Sequence, residues 1–151
     1  MKWFTREWTR GQLSDAEADA VPALYAEHLD HIEAQLSVGA LDLARNLNVH
    51  DGRVKGWRQA NKTIELDVVA GELQAGYQRI LLTFEGSKLV HPTSLDDLDF
   101  ANPRTEILYD EVDVTDSGAF EYRMLVWPDG EVAIRFDSVV VKKTAATAAD
   151  W

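Results

Sequence analysis

Three histidines and one aspartate are the residues whose types and spacing first point to chemistry in this chain. His28 and His31 stand three apart in a segment of helical spacing, so both imidazoles fall toward one side of a helix. With His50 or His91 they would begin a zinc-type ligand set. Asn48-Val49-His50-Asp51-Gly52 sets an imidazole beside a carboxylate, the pairing that moves protons when a reacting group lies near. Neither pattern is complete. The H-x-x-H spacing lacks the glutamate and fixed third ligand of metallohydrolase motifs, and no G-x-S-x-G or phosphate-cradling glycine loop supplies the rest. His28 lies beside an apolar stripe, which suits a hydrogen-bonded core histidine. Asn48, His50, Asp51 and Gly52 read first as a turn whose side chains bond to backbone. The sequence therefore nominates no catalytic residue and no cofactor. His28, His31 and His50 are the metal candidates, and a metal-dependent hydrolase using them with Asp51 is the enzyme alternative.

Charge gives the stronger signal. The net charge is −11, and the acids are concentrated in two stretches. Residues 14–44 hold Asp15, Glu17, Asp19, Glu27, Asp30, Glu33 and Asp42 with no Lys or Arg. Residues 93–116 hold Asp96, Asp97, Asp99, Glu106, Asp110, Glu111, Asp113 and Asp116 against Arg104 alone. Such a chain is repelled by nucleic acid and by anionic membranes and attracted to cationic partners. On the helix the acids are read as a solvated face. In residues 93–116 the like charges repel one another without a local counterion, so a basic protein partner is expected to meet Asp96, Asp97, Asp99, Asp110, Glu111, Asp113 and Asp116. Calcium is disfavoured, because Asp96-Asp97-Leu98-Asp99 lacks the spacing of a calcium loop.

The elements that must position these residues follow from local pattern. Ser14 with Glu17 three residues on is a capping box that opens an amphipathic helix to about residue 36, with Pro22 expected to bend it or divide it into 15–20 and 22–36. A short helix is expected over 40–47. From residue 52 the period falls to two. Strands are expected over 53–59, 63–69, 77–84 and 107–114, and a hairpin over 120–136 turns at Pro128-Asp129-Gly130. Val139 to Val141 reads as an extension of the second hairpin arm past a bulge at Ser138. The expected fold is α+β: N-terminal amphipathic helices packed on one face of an antiparallel meander of about six strands. Residues 1–144 form one domain in this reading, with 145–151 a flexible tail.

Two motifs carry a resemblance. Met1-Lys2-Trp3-Phe4-Thr5-Arg6-Glu7-Trp8 and Asn48-Val49-His50-Asp51-Gly52-Arg53-Val54 together resemble bacterial domain-of-unknown-function proteins that open M-K-x-F-T-x-E-W and carry an H-D motif before their strands. The H-D motif before strands is also similar to one in small immunity proteins of polymorphic toxin systems. The first resemblance implies an α+β domain with His50 and Asp51 as signature residues and no catalytic role. The second implies an antitoxin that covers a basic toxin.

The chain has no cysteine, no signal-like opening and no apolar run near the ~18 residues of a membrane span, so a cytoplasmic location is expected. The leading functional expectation is a non-enzymatic acidic binding protein, an immunity protein against a cationic toxin. An oligomerising structural domain, using exposed tryptophans and a sheet edge, stands beside the hydrolase as a further alternative.

Overall fold

A computed structural model describes residues 1–91, 98, 100, 102 and 104–151. The helices come first: α1 (Arg6–Thr9), α2 (Asp15–Ile32), a 3-10 turn (Glu33–Gln35) and α3 (Val38–Arg45). The capping box forms as expected, the Ser14 hydroxyl accepting the Glu17 N–H while the Glu17 carboxylate accepts the Ser14 N–H. Pro22 neither bends α2 into two helices nor ends it. A proline orphans the carbonyl four residues before it, which here is Ala18, and the Trp8 indole N–H donates to that oxygen at 3.0 Å. Trp8→Phe should therefore cost about 1 kcal/mol, the usual worth of one such bond. Restoring the backbone donor with Pro22→Ala should recover most of it. Thermal unfolding of the two single variants and the double variant checks this coupling, and simple additivity would disprove it.

Among the described residues eight strands follow: β1 (Gly52–Ala60), β2 (Thr63–Glu72), β3 (Gly76–Glu85), β4 (Lys88–His91), β5 (Glu106–Val114), β6 (Phe120–Trp127), β7 (Gly130–Phe136) and β8 (Ser138–Ala146). They form one antiparallel sheet in the order β4-β7-β6-β5-β1-β2-β3-β8. This corrects the expected α+β meander of about six strands: the molecule is mainly β, built on an eight-stranded sheet, with the helices as an N-terminal addition. Two strands account for the difference. β4 lies in a stretch for which no strand is expected. β8 is a strand of its own, separated from β7 by Asp137 alone, and it pairs with β3 at the opposite end of the sheet. Ala145 and Ala146, expected in a loose tail, pair there with Gln78 and Tyr77. Trp151 beyond them stacks on the Arg53 guanidinium at 3.6 Å.

The connections require the sheet to curl. β3 and β4 stand six places apart in the order, roughly 29 Å on a flat sheet at the usual strand spacing. Yet only Gly86 and Ser87 join them, a reach of about 11 Å from Glu85 to Lys88. The β7–β8 link makes the same demand, and the two corners meet where the Asp137 N–H donates to the Glu85 carbonyl at 2.9 Å. Inside the curl lie Phe84, Tyr122, Met124, Ile134 and Phe136, all with 1% exposure or less. The Phe84 and Phe136 rings sit 5.1 Å apart.

The outer face of β5 and β6 is covered as well. Every residue from Glu121 to Val126 is buried, although alternation leads one to expect a wet face. The N-terminal segment and α2 provide the cover. Tyr25 of α2 accepts the Val112 N–H at 2.7 Å, where β5 has run past its pairing with β1. The Arg6 guanidinium donates to the carbonyls of Val126 and Gly130 at 3.1 and 2.8 Å, fastening the start of the chain to the β6–β7 turn. Among the described residues no helix is long and apolar enough to cross a membrane.

Candidate functional site

The acids of the second stretch divide by strand geometry. Successive side chains of a strand point to opposite faces, so in β5 Asp110 and Val112 face the core while Glu111 and Asp113 face the N-terminal cover. Glu111 is fully buried and accepts three consecutive backbone N–H groups, from Lys2, Trp3 and Phe4, at 2.9, 2.7 and 2.7 Å. Asp113 accepts from Arg123 Nη2 at 2.9 Å, pairs with Lys2 Nζ, and meets His28 Nε2 at 2.9 Å. Arg123 also donates from Nε to Glu121 at 2.7 Å, and Glu121 takes a second donor from Arg135 at 2.7 Å. Burial pushes the Asp113 and Glu121 carboxyls up, but their cationic partners outweigh it and hold both below the ordinary carboxylate value. These charges are already neutralised within the chain. Two of the residues expected to await a cationic partner, Glu111 and Asp113, are thus buried and committed.

Asp110 is different. Its carboxyl lies beside the hydroxyl of the fully buried Tyr122, in a geometry that falls short of a hydrogen bond. Burial raises it to about 7; the Tyr122 hydroxyl and His50 work against that rise, and Glu111 adds to it. Asp116 is exposed in the β5–β6 turn. Asp96, Asp97 and Asp99 lie outside the described residues. The four described candidates are therefore not gathered onto one surface.

The histidines do not converge either. His28 is half-buried, bonded to Asp113 and packed against the Trp3 ring at 4.3 Å, the core-histidine reading. His31 is exposed on α2, and His50 lies between α3 and β1. Among the described residues no group of three His, Cys, Asp or Glu side chains could hold a metal ion.

The Asn48 to Gly52 motif borders a concavity of the surface. The Asn48 Oδ1 accepts the His50 N–H at 3.0 Å, the side-chain-to-backbone bond expected of a turn. Asp51 takes a positive φ of 56°, and Gly52 sits where a side chain would overlap the Val49 carbonyl and Val68. Asn48, His50 and Asp51 line a pocket of about 370 Å³ between the α3–β1 link and the β2–β3 hairpin, with Lys143 of β8 at its rim. His50 Nδ1 donates to the Leu108 carbonyl oxygen, the ring packs 4.7 Å from Tyr109, and Nε2 lies 3.4 Å from Asp51. Sequence pattern does not single out Glu72, Gln78 or Lys143. They come from β2, β3 and β8, which follow β1 in the sheet order, and pairing along the sheet sets them beside the motif.

The outer face of α2 is the remaining concentration of charge. Asp15, Glu17, Asp19, Glu27, Asp30 and Glu33 are all exposed. Arg45 pairs with Asp30 and Glu33. Among the described residues no Lys or Arg pairs with Asp15, Glu17, Asp19, Glu27 or Asp42. Part of the face expected to be bland and solvated is thus without counterions of its own. Compared with known proteins, the chain matches no protein-family model, no curated protein and no solved structure.

Proposed function

We propose that the chain is a non-enzymatic binding protein that presents the acidic outer face of α2 to a cationic protein. The observation that carries this reading is the split in the fate of the acids. Glu111 and Asp113 of β5 are neutralised internally by Arg123, Lys2 and His28, whereas Asp15, Glu17, Asp19 and Glu27 of α2 stay exposed without a Lys or Arg partner. An unscreened field of one sign raises encounter rates with an oppositely charged partner and makes association sensitive to salt. Neutralising a toxin with a basic active face, as the H-D resemblance implies, is one form this binding takes. The same reading places the protein in the cytoplasm, where a chain without cysteine forgoes no disulfide.

The test compares the parent with the triple variant Asp15→Asn, Asp19→Asn, Glu27→Gln in pull-downs from host lysate at low and high salt, followed by association kinetics with the protein retained. The expected result is a stoichiometric basic partner released by salt, with an on-rate at least ~10-fold lower for the variant at low salt. An unchanged on-rate would move the interface off α2. Retention of no basic protein would end the proposal.

A further inference from the structure

The pocket beside His50 has a composition that the acidic face of α2 does not explain, and any ligand it takes is independent of a partner on that face. Leu47, Ala70 and Ile80 contribute apolar surface, while His50, Asp51, Glu72 and Lys143 contribute polar groups of both charge signs. Its volume of about 370 Å³ is at the small end of the range for small-molecule sites.

The His50 ring is set from behind. A carbonyl oxygen can only accept, so the contact with Leu108 places a hydrogen on Nδ1. In the neutral ring Nε2 is then an acceptor, and it faces the Asp51 carboxylate at 3.4 Å. A donor placed between these two acceptors would serve both. The carboxylate is held there on a backbone of positive φ, a conformation unfavourable for residues bearing a Cβ. Lys143 Nζ donates to the Asn46 carbonyl at 3.0 Å, which leaves two of its three N–H groups for another acceptor.

We infer that this pocket binds a small zwitterion of the amino-acid class, with its ammonium between His50 and Asp51, its carboxylate on Lys143 and its apolar body over Leu47, Ala70 and Ile80. An ammonium brings three N–H groups to the two acceptors. A plain anion would meet Asp51 and Glu72, and a plain cation would meet Lys143, so a ligand of either single sign leaves one part of the rim opposed.

The test is a titration of the isotopically labelled protein, followed by amide chemical shifts, with three probes of one carbon skeleton: leucine, isopentylamine, which lacks the carboxylate, and 4-methylpentanoate, which lacks the ammonium. Leucine should produce saturable shifts confined to residues 46–51, 70–80 and 143. Each truncated probe should bind at least ~10-fold more weakly, the equivalent of losing one charge-assisted contact. Asp51→Gly removes the carboxylate while keeping a residue suited to positive φ, and Lys143→Met removes the ammonium. Each should lower leucine affinity about tenfold with the rest of the spectrum unchanged. Absence of saturable shifts with leucine, equal binding of isopentylamine, shifts centred on α2, or an Asp51→Gly protein of parental affinity would overturn the inference.

Discussion

Arg123→Met lowers stability by about 3–5 kcal/mol, the cost of leaving buried charges without their partner. The guanidinium is the common counterion of three carboxylates: it lies 2.9 Å from Asp113, 2.6 Å from Glu121 and 3.5 Å from Glu111. Glu111 and Asp113 are 0% and 1% exposed, so water cannot replace it. Methionine fills much of the volume and removes the charge, which separates electrostatics from packing. At roughly 2–4 °C per kcal/mol for a chain of this size, the melting temperature should fall by about 6–20 °C. Arg123→Lys should fall between, because an ammonium keeps the charge but cannot present the planar fork that meets several carboxylates at once. The pH dependence identifies the mechanism. Asp113 and Glu121 have depressed folded-state values, so their stabilisation is present above the unfolded carboxylate value and lost as the pH falls through the folded one. Without Arg123 the carboxyls take up protons more readily, so the deficit of the variant should shrink as the pH drops into the carboxylate range. A loss below 1 kcal/mol in urea titration at neutral pH, or a deficit independent of pH, would show that the cluster contributes little.

That cluster also marks where the sequence is legible and where it is not. The Ser14–Glu17 box and the 120–136 hairpin are readable because their determinants lie within a few residues of one another: a cap three positions from its acceptor, and a turn between two alternating runs. Counting charges along residues 93–116 yields a cluster without counterions because the counterions are near in space only. Arg123 arrives from the adjacent strand, opposite Glu111, and Lys2 from the start of the chain. One sign is available in the sequence: an arginine at the outward position of an otherwise apolar run has to meet either water or a carboxylate across the ladder. Pro22 misleads for the same reason, since the donor that satisfies Ala18 belongs to Trp8 outside the helix. β8 reads as part of β7 because one residue separates them. Only a curled sheet, which no local pattern specifies, can send the chain from one end of the strand order to the other across Asp137. The H-D motif does stand at the head of β1, but its pocket depends on Glu72, Gln78 and Lys143, which the pairing of β2, β3 and β8, not a local motif, sets beside it.

Asp110→Asn should make the protein more stable at neutral and alkaline pH, with the gain shrinking as the pH falls toward the unfolded carboxylate value. The parent carboxyl is raised to about 7, chiefly by burial, so between the unfolded value near 3.8 and that point the folded chain binds a proton the unfolded chain has released. Stability from this group is therefore fully present below the unfolded value and declines as the pH rises through about 7. The groups facing it are the Tyr122 hydroxyl of β6, Glu111 beside it on β5, and His50 from the α3–β1 link. Asparagine cannot ionise and removes the dependence. A shift of this size corresponds to roughly 2–4 kcal/mol once the partial exposure of the residue is allowed for, and that is the expected gain of the variant near pH 8. Asp113 and Glu121 act with the opposite sign at lower pH, so the parent should be most stable in mild acid, between the two losses. Denaturant titrations of parent and variant at about pH 4 and pH 8 decide the matter. Convergent stabilities in acid with divergence in base would assign the alkaline loss to Asp110, whereas parallel profiles would place it elsewhere in the molecule.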